Sequence, residues 1–229
     1  MNLKVKIIYL FIFFFPIYVV CQPRVITSKI QYNSSVKANP ANKLLNIKKL
    51  IPNIILDLKY STNNNFTKLK LYNNTKTTYL RYDAAMALLE VQNFLTLQGY
   101  TLKIFDAYRP YAVTKLMWNL IEDERYVANP KNGSGHNKGT SVDLTIVKIS
   151  SNTELDMGTG FDNFTDTAHH SFTSKLNADV IHNRNLLKTT MEQFGFKSLE
   201  TEWWHYSWKT LEEFDVIDIS FAMLKRLTK

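Results

Sequence analysis

The sequence predicts an α+β fold, with a mainly antiparallel sheet and flanking helices in a single domain. The 229 residues are enough for one domain with a substantial core. A composition of 45% hydrophobic and 21% charged residues is typical of globular proteins. Strand-like and helix-like segments alternate without regular βαβ repetition, which favours an antiparallel sheet. The sequence contains neither GxGxxG nor GxxxxGKS/T, so nucleotide-binding folds gain no support.

Hydrophobic periodicity and turn residues divide the domain into elements. The predicted strands are 51–60, 101–107, 141–149 and 196–208. The predicted helices are 84–98, 111–122 and 177–194. Each helix has a chemical boundary, because Asp83 precedes the first, Pro110 precedes the second and Gly195 follows the third.

Residues 1–21 are typical of a secretory signal peptide. Lys4 and Lys6 precede an almost wholly apolar run at 7–20, which is short for a permanent membrane span and contains Pro16. An uncleaved N-terminal anchor is the alternative. The protein is therefore expected to be exported, to the periplasm or to the outer cell surface.

The mature chain is predicted to begin with a flexible lead at 22–46, which is polar, followed by the folded domain at 47–229. Cys21 is the only cysteine, so an internal disulfide is excluded. Its place directly after the apolar run suggests a lipidated cysteine that attaches the protein to a membrane. Because Val20 stands where a small residue is usual, simple cleavage nearby is an equal alternative.

The net charge of +8 is spread along the chain, without a run of five basic residues. A mildly basic exported protein suits an anionic cell-wall polymer. Nucleic acid is not expected as a partner, because export would separate the protein from it.

The segment 134–143 gathers polar groups where a loop enters a predicted strand. His136 and Asp143 are both zinc-ligand types, and Gly135 and Gly139 let the backbone turn between them. Asp143 lies within an otherwise apolar strand, where a carboxylate is costly unless it is paired or binds a metal. The simpler interpretation is an exposed aspartate on a half-solvated strand.

A second polar group occurs at Glu202 and His205, with Trp203 and Trp204 between them. Residues three apart in an ideal strand point to opposite faces, so a bend, bulge or helical turn is expected if both serve one site. The tryptophans are expected to shield the site from water and to raise the basicity of a nearby carboxylate. A histidine satisfied within the core is the alternative.

A third group, at 106–110, ends a predicted strand and contains Arg109, whose guanidinium can bind a carboxylate or an oxyanion. Its alternative is a structural ion pair. Together the three segments supply the groups needed for metal-assisted amide hydrolysis. With zinc on two histidines and one aspartate, Glu202 is left to transfer protons and Arg109 to stabilise the tetrahedral intermediate.

These motifs resemble the D-alanyl-D-alanine dipeptidases, the VanX-type zinc peptidases, over roughly residues 47–208. The matching segments are DLKYST at 57–62 with Asn65 and Phe66, DAYRP at 106–110, SGHNKGTSVDLT at 134–145, MGTGFD at 157–162 with His169 and His170, and EWWHY at 202–206. The resemblance implies one zinc ion per chain on His136, Asp143 and His205, with Glu202 as general base and Arg109 acting at the transition state.

The resemblance also implies that Tyr60, Ser134 and Asp162 line the pocket of a small dipeptide substrate. Asp162 would hold the free ammonium group of the substrate. His169 and His170 are expected to be structural.

The implied function is zinc-dependent hydrolysis of D-alanyl-D-alanine in cell-wall peptide turnover. Export favours salvage from wall debris over antibiotic resistance, which requires cytoplasmic hydrolysis. The alternatives are a D,D- or L,D-carboxypeptidase or endopeptidase acting on peptidoglycan peptides, and a non-catalytic zinc-containing surface binding protein. Glu202 argues against a binding protein, because the three ligands hold zinc without it.

Overall fold

The computed structural model describes residues 23–73 and 75–228. The predicted signal peptide and Cys21 lie outside these residues. Within the described ranges, no helix has both the length and the apolar character required to cross a membrane.

The described residues form an α+β fold. The strands are β1 (Val25–Ile26), β2 (Leu44–Asn46), β3 (Ile55–Leu56), β4 (Tyr79–Arg81), β5 (Tyr100–Asp106), β6 (Ser141–Lys148), β7 (Thr153–Glu154), β8 (Phe196–Leu199), β9 (Glu202–Trp208) and β10 (Val216–Ile217). The α-helices are α1 (Lys29–Ala38), α2 (Ile47–Leu50), α3 (Tyr82–Thr96), α4 (Tyr111–Ile121), α5 (Gly135–Lys138), α6 (Ala178–Gln193) and α7 (Phe221–Leu227). Single 3₁₀ turns lie at Pro40–Asn42, Lys59–Ser61 and Asp166–Ala168.

The central sheet has the order β3-β5-β6-β9-β8, with β7 also paired to β6. Its pairs are antiparallel except β3 with β5, which run parallel. The prediction of a mainly antiparallel sheet is therefore confirmed, with one parallel pair. Helices α3 and α6 contribute Leu88, Leu95, Leu187 and Met191 to the apolar core that covers this sheet.

The three long helices agree with the predicted ones to within two residues at each end. Two predicted strands differ. The strand expected at 51–60 is reduced to β3, because the chain turns at Pro52 and Asn53 before it joins the sheet. The strand expected at 196–208 is a hairpin, in which β8 and β9 pair across a turn at Glu200 and Thr201.

The prediction of a flexible lead at 22–46 is wrong for the described part of that segment. It contains β1, α1 and β2. Ser28 is the N-cap residue of α1 and forms a capping box with Gln31. Ile26, Tyr32 and Leu44 are buried. These three buried side chains are separated by many polar residues. The polar composition of the segment therefore gave no sign that it packs on the domain.

Buried Arg81 ties this N-terminal segment to the rest of the fold. Its guanidinium donates hydrogen bonds to the backbone carbonyls of Asn42, Lys138 and Asp215. The backbone N–H of Arg81 also donates to the carbonyl of Gly139. Because Lys138 and Gly139 flank the end of α5, the arginine fixes this short helix against both ends of the described chain.

Candidate active site and metal centre

His136, Asp143 and His205 bring their ligand atoms within 4.8 Å of one another. His136 lies on α5, while Asp143 and His205 are cross-strand partners on β6 and β9. Antiparallel pairing places the side chains of directly opposed residues on the same face of the sheet. The two ligands of the segment 134–143 therefore meet His205, which lies 62 positions after Asp143.

The hydrogen bonds of the two imidazoles leave the correct nitrogens for a metal. His136 Nδ1 lies 2.7 Å from the carbonyl oxygen of Ala107, so Nδ1 donates there and Nε2 keeps its lone pair. His205 Nε2 lies 3.2 Å from Ser207 Oγ, and a proton on Nε2 leaves Nδ1 as the ligand atom. Each histidine thus offers one nitrogen to the shared point.

The spacing of these atoms fits zinc. His136 Nε2 lies 3.3 Å from His205 Nδ1 and 3.4 Å from Asp143 Oδ2. Two ligands on a tetrahedral zinc, each bonded at about 2 Å, lie about 3.3 Å apart. Asp143 is only 3% exposed, so its carboxylate has lost most of its hydration. A cation bound beside it would compensate for the cost of burying this negative charge.

A capped helical turn sets the position of His136. Ser134 Oγ accepts a hydrogen bond from the backbone N–H of Asn137. In return, Oδ1 of Asn137 accepts one from the backbone N–H of Ser134. The buried side-chain amide of Asn137 donates to the carbonyl of Arg109 and to Thr114 Oγ1. These contacts lock α5 to the segment that carries Arg109.

An irregularity in β9 brings Glu202 to the same cleft as His205. Opposite β8, Ser198 pairs with Tyr206 whereas the next residue, Leu199, pairs with Glu202. The extra residues on β9 form a bulge. In an ideal strand Glu202 and His205, three residues apart, would point to opposite faces, and the bulge allows both to reach one cleft. Burial raises the pKa of the Glu202 carboxyl, and the nearby Asp143 charge raises it further.

Arg109 is held by a buried carboxylate, Asp106, which belongs to the same DAYRP motif but was assigned no role from the sequence. Asp106 Oδ2 accepts a hydrogen bond from Arg109 Nε at 3.0 Å and lies 2.8 Å from Nη2 in an ion pair. Asp106 Oδ1 accepts from the hydroxyl of Tyr72 at 2.7 Å. The guanidinium also lies 5.0 Å from the centre of the Tyr60 ring, so its plane is set from two sides.

Asp162 occupies the same cleft with a left-handed backbone, φ +60°. Its carboxylate accepts from the Tyr60 hydroxyl at 3.1 Å and from the backbone N–H of Phe66 at 3.5 Å. Burial raises the pKa of Asp162 well above its usual range, and Asp143 adds to this effect. A cation placed beside Asp162 would remove that cost.

All eight predicted site residues line one cleft of about 350 Å³: Tyr60, Arg109, Ser134, His136, Asp143, Asp162, Glu202 and His205. Trp204 also lines it and packs on Phe161 and Phe164. The expectation that both tryptophans shield the site is wrong, because Trp203 lines a separate cavity. The sequence assigned no role to Asp106, although it begins the DAYRP motif, and it did not identify Tyr72, which lies outside every motif.

The charges inside the cleft are coupled. Although burial opposes ionisation, the imidazoles of His136 and His205 hold the pKa of Asp143 well below its usual range. Burial lowers the pKa of His205, but the hydrogen bond to Asp143 and the negative charges of Asp143 and Glu202 together outweigh burial, so the net shift is upward. Both shifts show that the donor set favours a positive charge beside Asp143, and a divalent cation supplies such a charge.

Comparison with known proteins identifies the family of this chain. The family model described as "D-ala-D-ala dipeptidase" (Peptidase_M15) matches residues 40–215. The chain belongs to the D-alanyl-D-alanine dipeptidase family. This confirms the resemblance predicted from the motifs, and with it the predicted class of enzyme, a metallo-dipeptidase.

Curated members of the D-alanyl-D-alanine dipeptidase family match most of the chain. The D-alanyl-D-alanine dipeptidase of Escherichia coli (strain K12) is 33% identical over 164 residues, 72% of this chain and 83% of that protein. The D-alanyl-D-alanine dipeptidase of Enterococcus faecalis (strain ATCC 700802 / V583) is 29% identical over 72% of this chain and 91% of its own length. Among solved structures, an LdcB LD-carboxypeptidase is similar, with 22% identity, a TM-score of 0.38 and coverage of 60% of this chain and 64% of that one.

Proposed function

We propose that this protein hydrolyses the free dipeptide D-alanyl-D-alanine to two D-alanines with one zinc ion per chain. The observation that carries the proposal is the His136–Asp143–His205 donor set, in which His136 and Asp143 are buried and His205 is partly buried. It shares a small cleft with the carboxylates of Glu202 and Asp162 and with Arg109. The family membership and the names of the matching relatives support the same substrate.

The metal ligands and Glu202 have separate roles in the proposed reaction. Zinc held by the three donors supplies Lewis-acid polarisation of water and of the scissile carbonyl. Glu202 is not part of the donor set. It takes the proton of the attacking water and passes it to the leaving amine. Its raised pKa strengthens it as a base near neutral pH.

Arg109 stabilises the negative charge that develops on the carbonyl oxygen. Two of its nitrogens face Asp106, so the remaining edge of the guanidinium is available to the cleft that Arg109 lines. A donor fixed before the reaction costs no reorganisation when the charge appears.

Asp162 and Ser134 select a short substrate with two free ends. Asp162 pairs with the ammonium group, assisted by the Tyr60 hydroxyl. Ser134 Oγ already accepts from the N–H of Asn137, so its own hydrogen is free to donate to a substrate carboxylate. A peptide extended at its amino end would bring an uncharged amide against Asp162, which favours the dipeptide over wall pentapeptides.

The test is a substrate comparison with protein covering residues 22–229. We expect zinc-dependent release of two D-alanines from D-alanyl-D-alanine, loss of activity with a chelator, and little hydrolysis of the N-acetylated dipeptide or of a wall pentapeptide. Preferential cleavage of the pentapeptide would favour a carboxypeptidase. A zinc-loaded protein that cleaves neither peptide would favour a binding protein.

The role of Glu202 is tested with Glu202→Gln, which keeps the shape of the side chain but removes the base. We expect retained zinc and a kcat lowered by roughly 10²–10⁴-fold. Glu200→Gln is the matched control, because Glu200 is exposed and accepts from the backbone N–H of Ser171. A Glu202→Gln protein with wild-type turnover would exclude Glu202 as the base.

We also propose that the protein is exported, on the basis of the basic start and the apolar run that follows it. Intact-mass measurement of the protein from a bacterial host separates the outcomes. Cleavage near Cys21 supports export, and a diacylglycerol adduct abolished by Cys21→Ser identifies a lipoprotein. A full-length, unmodified chain in the cytoplasm would contradict the proposal.

A further inference from the structure

A buried chain of hydrogen bonds ends on Arg109 and begins at Tyr72. The Tyr72 hydroxyl donates to Asp106 Oδ1, and Asp106 Oδ2 accepts from Nε of Arg109 and forms an ion pair with its Nη2. Tyr72 is 3% exposed and Asp106 is fully buried. Tyr72 comes from the segment after the Lys59–Ser61 turn, outside every motif that indicated the family.

The position of the Tyr72 ring is fixed by contacts that do not involve its hydroxyl. The backbone N–H groups of Leu71 and Tyr72 both donate to the carbonyl of Tyr60, at 2.9 and 2.8 Å. The Tyr72 ring packs against Tyr60 at 5.9 Å and against Phe221 at 5.0 Å between ring centres. The phenol therefore meets Asp106 in one orientation, and little entropy is lost when the hydrogen bond forms.

The carboxylate needs this donor. A fully buried Asp106 has two oxygens to satisfy, and Arg109 binds Oδ2 alone. Without Tyr72, the partner of Oδ1 is lost, and an unsatisfied buried carboxylate oxygen is costly. The carboxylate would then rotate to share Arg109 between both oxygens, and the guanidinium would turn with it.

We propose that Tyr72 is a positioning residue for Arg109: its hydroxyl fixes the Asp106 carboxylate, and this carboxylate sets the direction in which the guanidinium faces the cleft. The inference rests on the proposed function for its effect on rate. A donor that is correctly placed stabilises the transition state more than the bound substrate, so the loss of Tyr72 should appear mainly in kcat.

The first test is Tyr72→Phe, which keeps the ring and its packing. We expect kcat to fall about tenfold while KM for D-alanyl-D-alanine changes less than about twofold. Tyr32→Phe is the matched control: Tyr32 is also buried, and its hydroxyl accepts from the backbone N–H of Leu44, outside the cleft. Zinc content should be unchanged in both variants. A wild-type kcat in Tyr72→Phe would overturn the inference.

The second test asks whether Tyr72 acts through Arg109. Arg109→Lys keeps a positive charge but lacks the two-nitrogen fork. If Tyr72 serves to orient that fork, adding Tyr72→Phe to Arg109→Lys should lower kcat less than about twofold further. A further tenfold loss would mean that the two effects are independent, and would refute positioning through Arg109.

A third measurement does not depend on the substrate. The Nε–H of Arg109 should give a resolved NMR signal that exchanges slowly with water, because it donates to a buried carboxylate. We expect this signal to shift and to exchange faster in Tyr72→Phe, but not in Tyr32→Phe. An unchanged signal contradicts the inference. If the signal changes while the wild-type protein lacks dipeptidase activity, only the proposed function fails.

Discussion

Gly135 leaves no room for a side chain next to the site. A Cβ added there would lie 1.9 Å from Ser141 Oγ and 3.0 Å from Ser141 Cβ. Ser141 is 1% exposed and bonded to Ser207 Oγ at 2.8 Å, so it has little freedom to move away. Because Gly135 begins α5 directly before His136, crowding there is transmitted to a metal ligand.

We therefore expect Gly135→Ala to lower the free energy of unfolding by about 1–3 kcal/mol and to weaken zinc binding. Adding Ser141→Gly, which removes both clashing atoms, should recover most of the lost zinc affinity. Urea unfolding and zinc titration of the single and double variants measure the two effects. Equal zinc affinity in wild type and Gly135→Ala would show that α5 does not need this space.

His205 makes zinc binding dependent on pH. Burial lowers its pKa, but the hydrogen bond to Asp143 and the negative charges of Asp143 and Glu202 together outweigh burial, so the net shift is upward from the usual 6.5. Below that pKa a proton occupies the imidazole and must leave before zinc binds. Zinc affinity should fall about tenfold per pH unit there, and level off above it. A competition titration with a chelator at several pH values measures this, and constant affinity from acidic to neutral pH would contradict it.

At the scale of elements, one buried arginine on α6 holds the segment that carries Asp162. Arg184 donates to the backbone carbonyls of Met157, Thr167 and His169, which lie on both sides of that segment. Burial lowers the pKa of Arg184. Three carbonyls from separate positions satisfy a guanidinium fork but exceed the reach of one ammonium group.

Arg184→Lys should therefore reduce the free energy of unfolding by about 2 kcal/mol or more, since hydrogen bonds to a charged group are lost. It should also raise KM more than it lowers kcat, because the proposed role of Asp162 is to bind the ammonium group of the dipeptide rather than to act on the reacting bond. Arg24→Lys is the control, because the Arg24 side chain is 77% exposed and its ion pair is worth little. Unfolding curves and steady-state kinetics on both variants decide the point.

At the scale of the whole molecule, the two ends of the described chain stabilise the domain together. Strand β1 pairs parallel with β10, and Ile26, Tyr32 and Leu44 form one apolar cluster with Ile217 and Leu224. Burial of a large apolar side chain contributes about 1.5–3 kcal/mol, and a domain has about 5–15 kcal/mol of net stability. The N-terminal segment is therefore part of the stable fold.

A protein that begins at residue 47 should unfold at a much lower urea concentration than one that begins at residue 23, or should fail to fold. The loss removes buried side chains and the Asn42 carbonyl that Arg81 binds. Chemical denaturation of the two proteins at equal zinc concentration is the measurement. Matching midpoints would mean that residues 23–46 are dispensable.

The sequence alone determined the elements whose signals are local. Helices α3, α4 and α6 follow from side-chain periodicity and boundary residues, and the site residues from motifs that place ligand types together. The polar composition of residues 23–46 led to the wrong prediction of a flexible lead, because three buried side chains among many polar residues leave no periodic pattern. The paired strands β8 and β9 appeared as one, because an apolar run does not reveal its turn.

Only the tertiary structure decided how the site is assembled. The pairing of β6 with β9 places Asp143 opposite His205, and the bulge in β9 turns Glu202 toward the same cleft. Asp106 and Tyr72 acquire their roles from contacts made across 34 residues of sequence. Pairing register, bulges and buried hydrogen bonds depend on residues distant in the chain, so local sequence patterns predict the ligands but not the geometry that makes them a site.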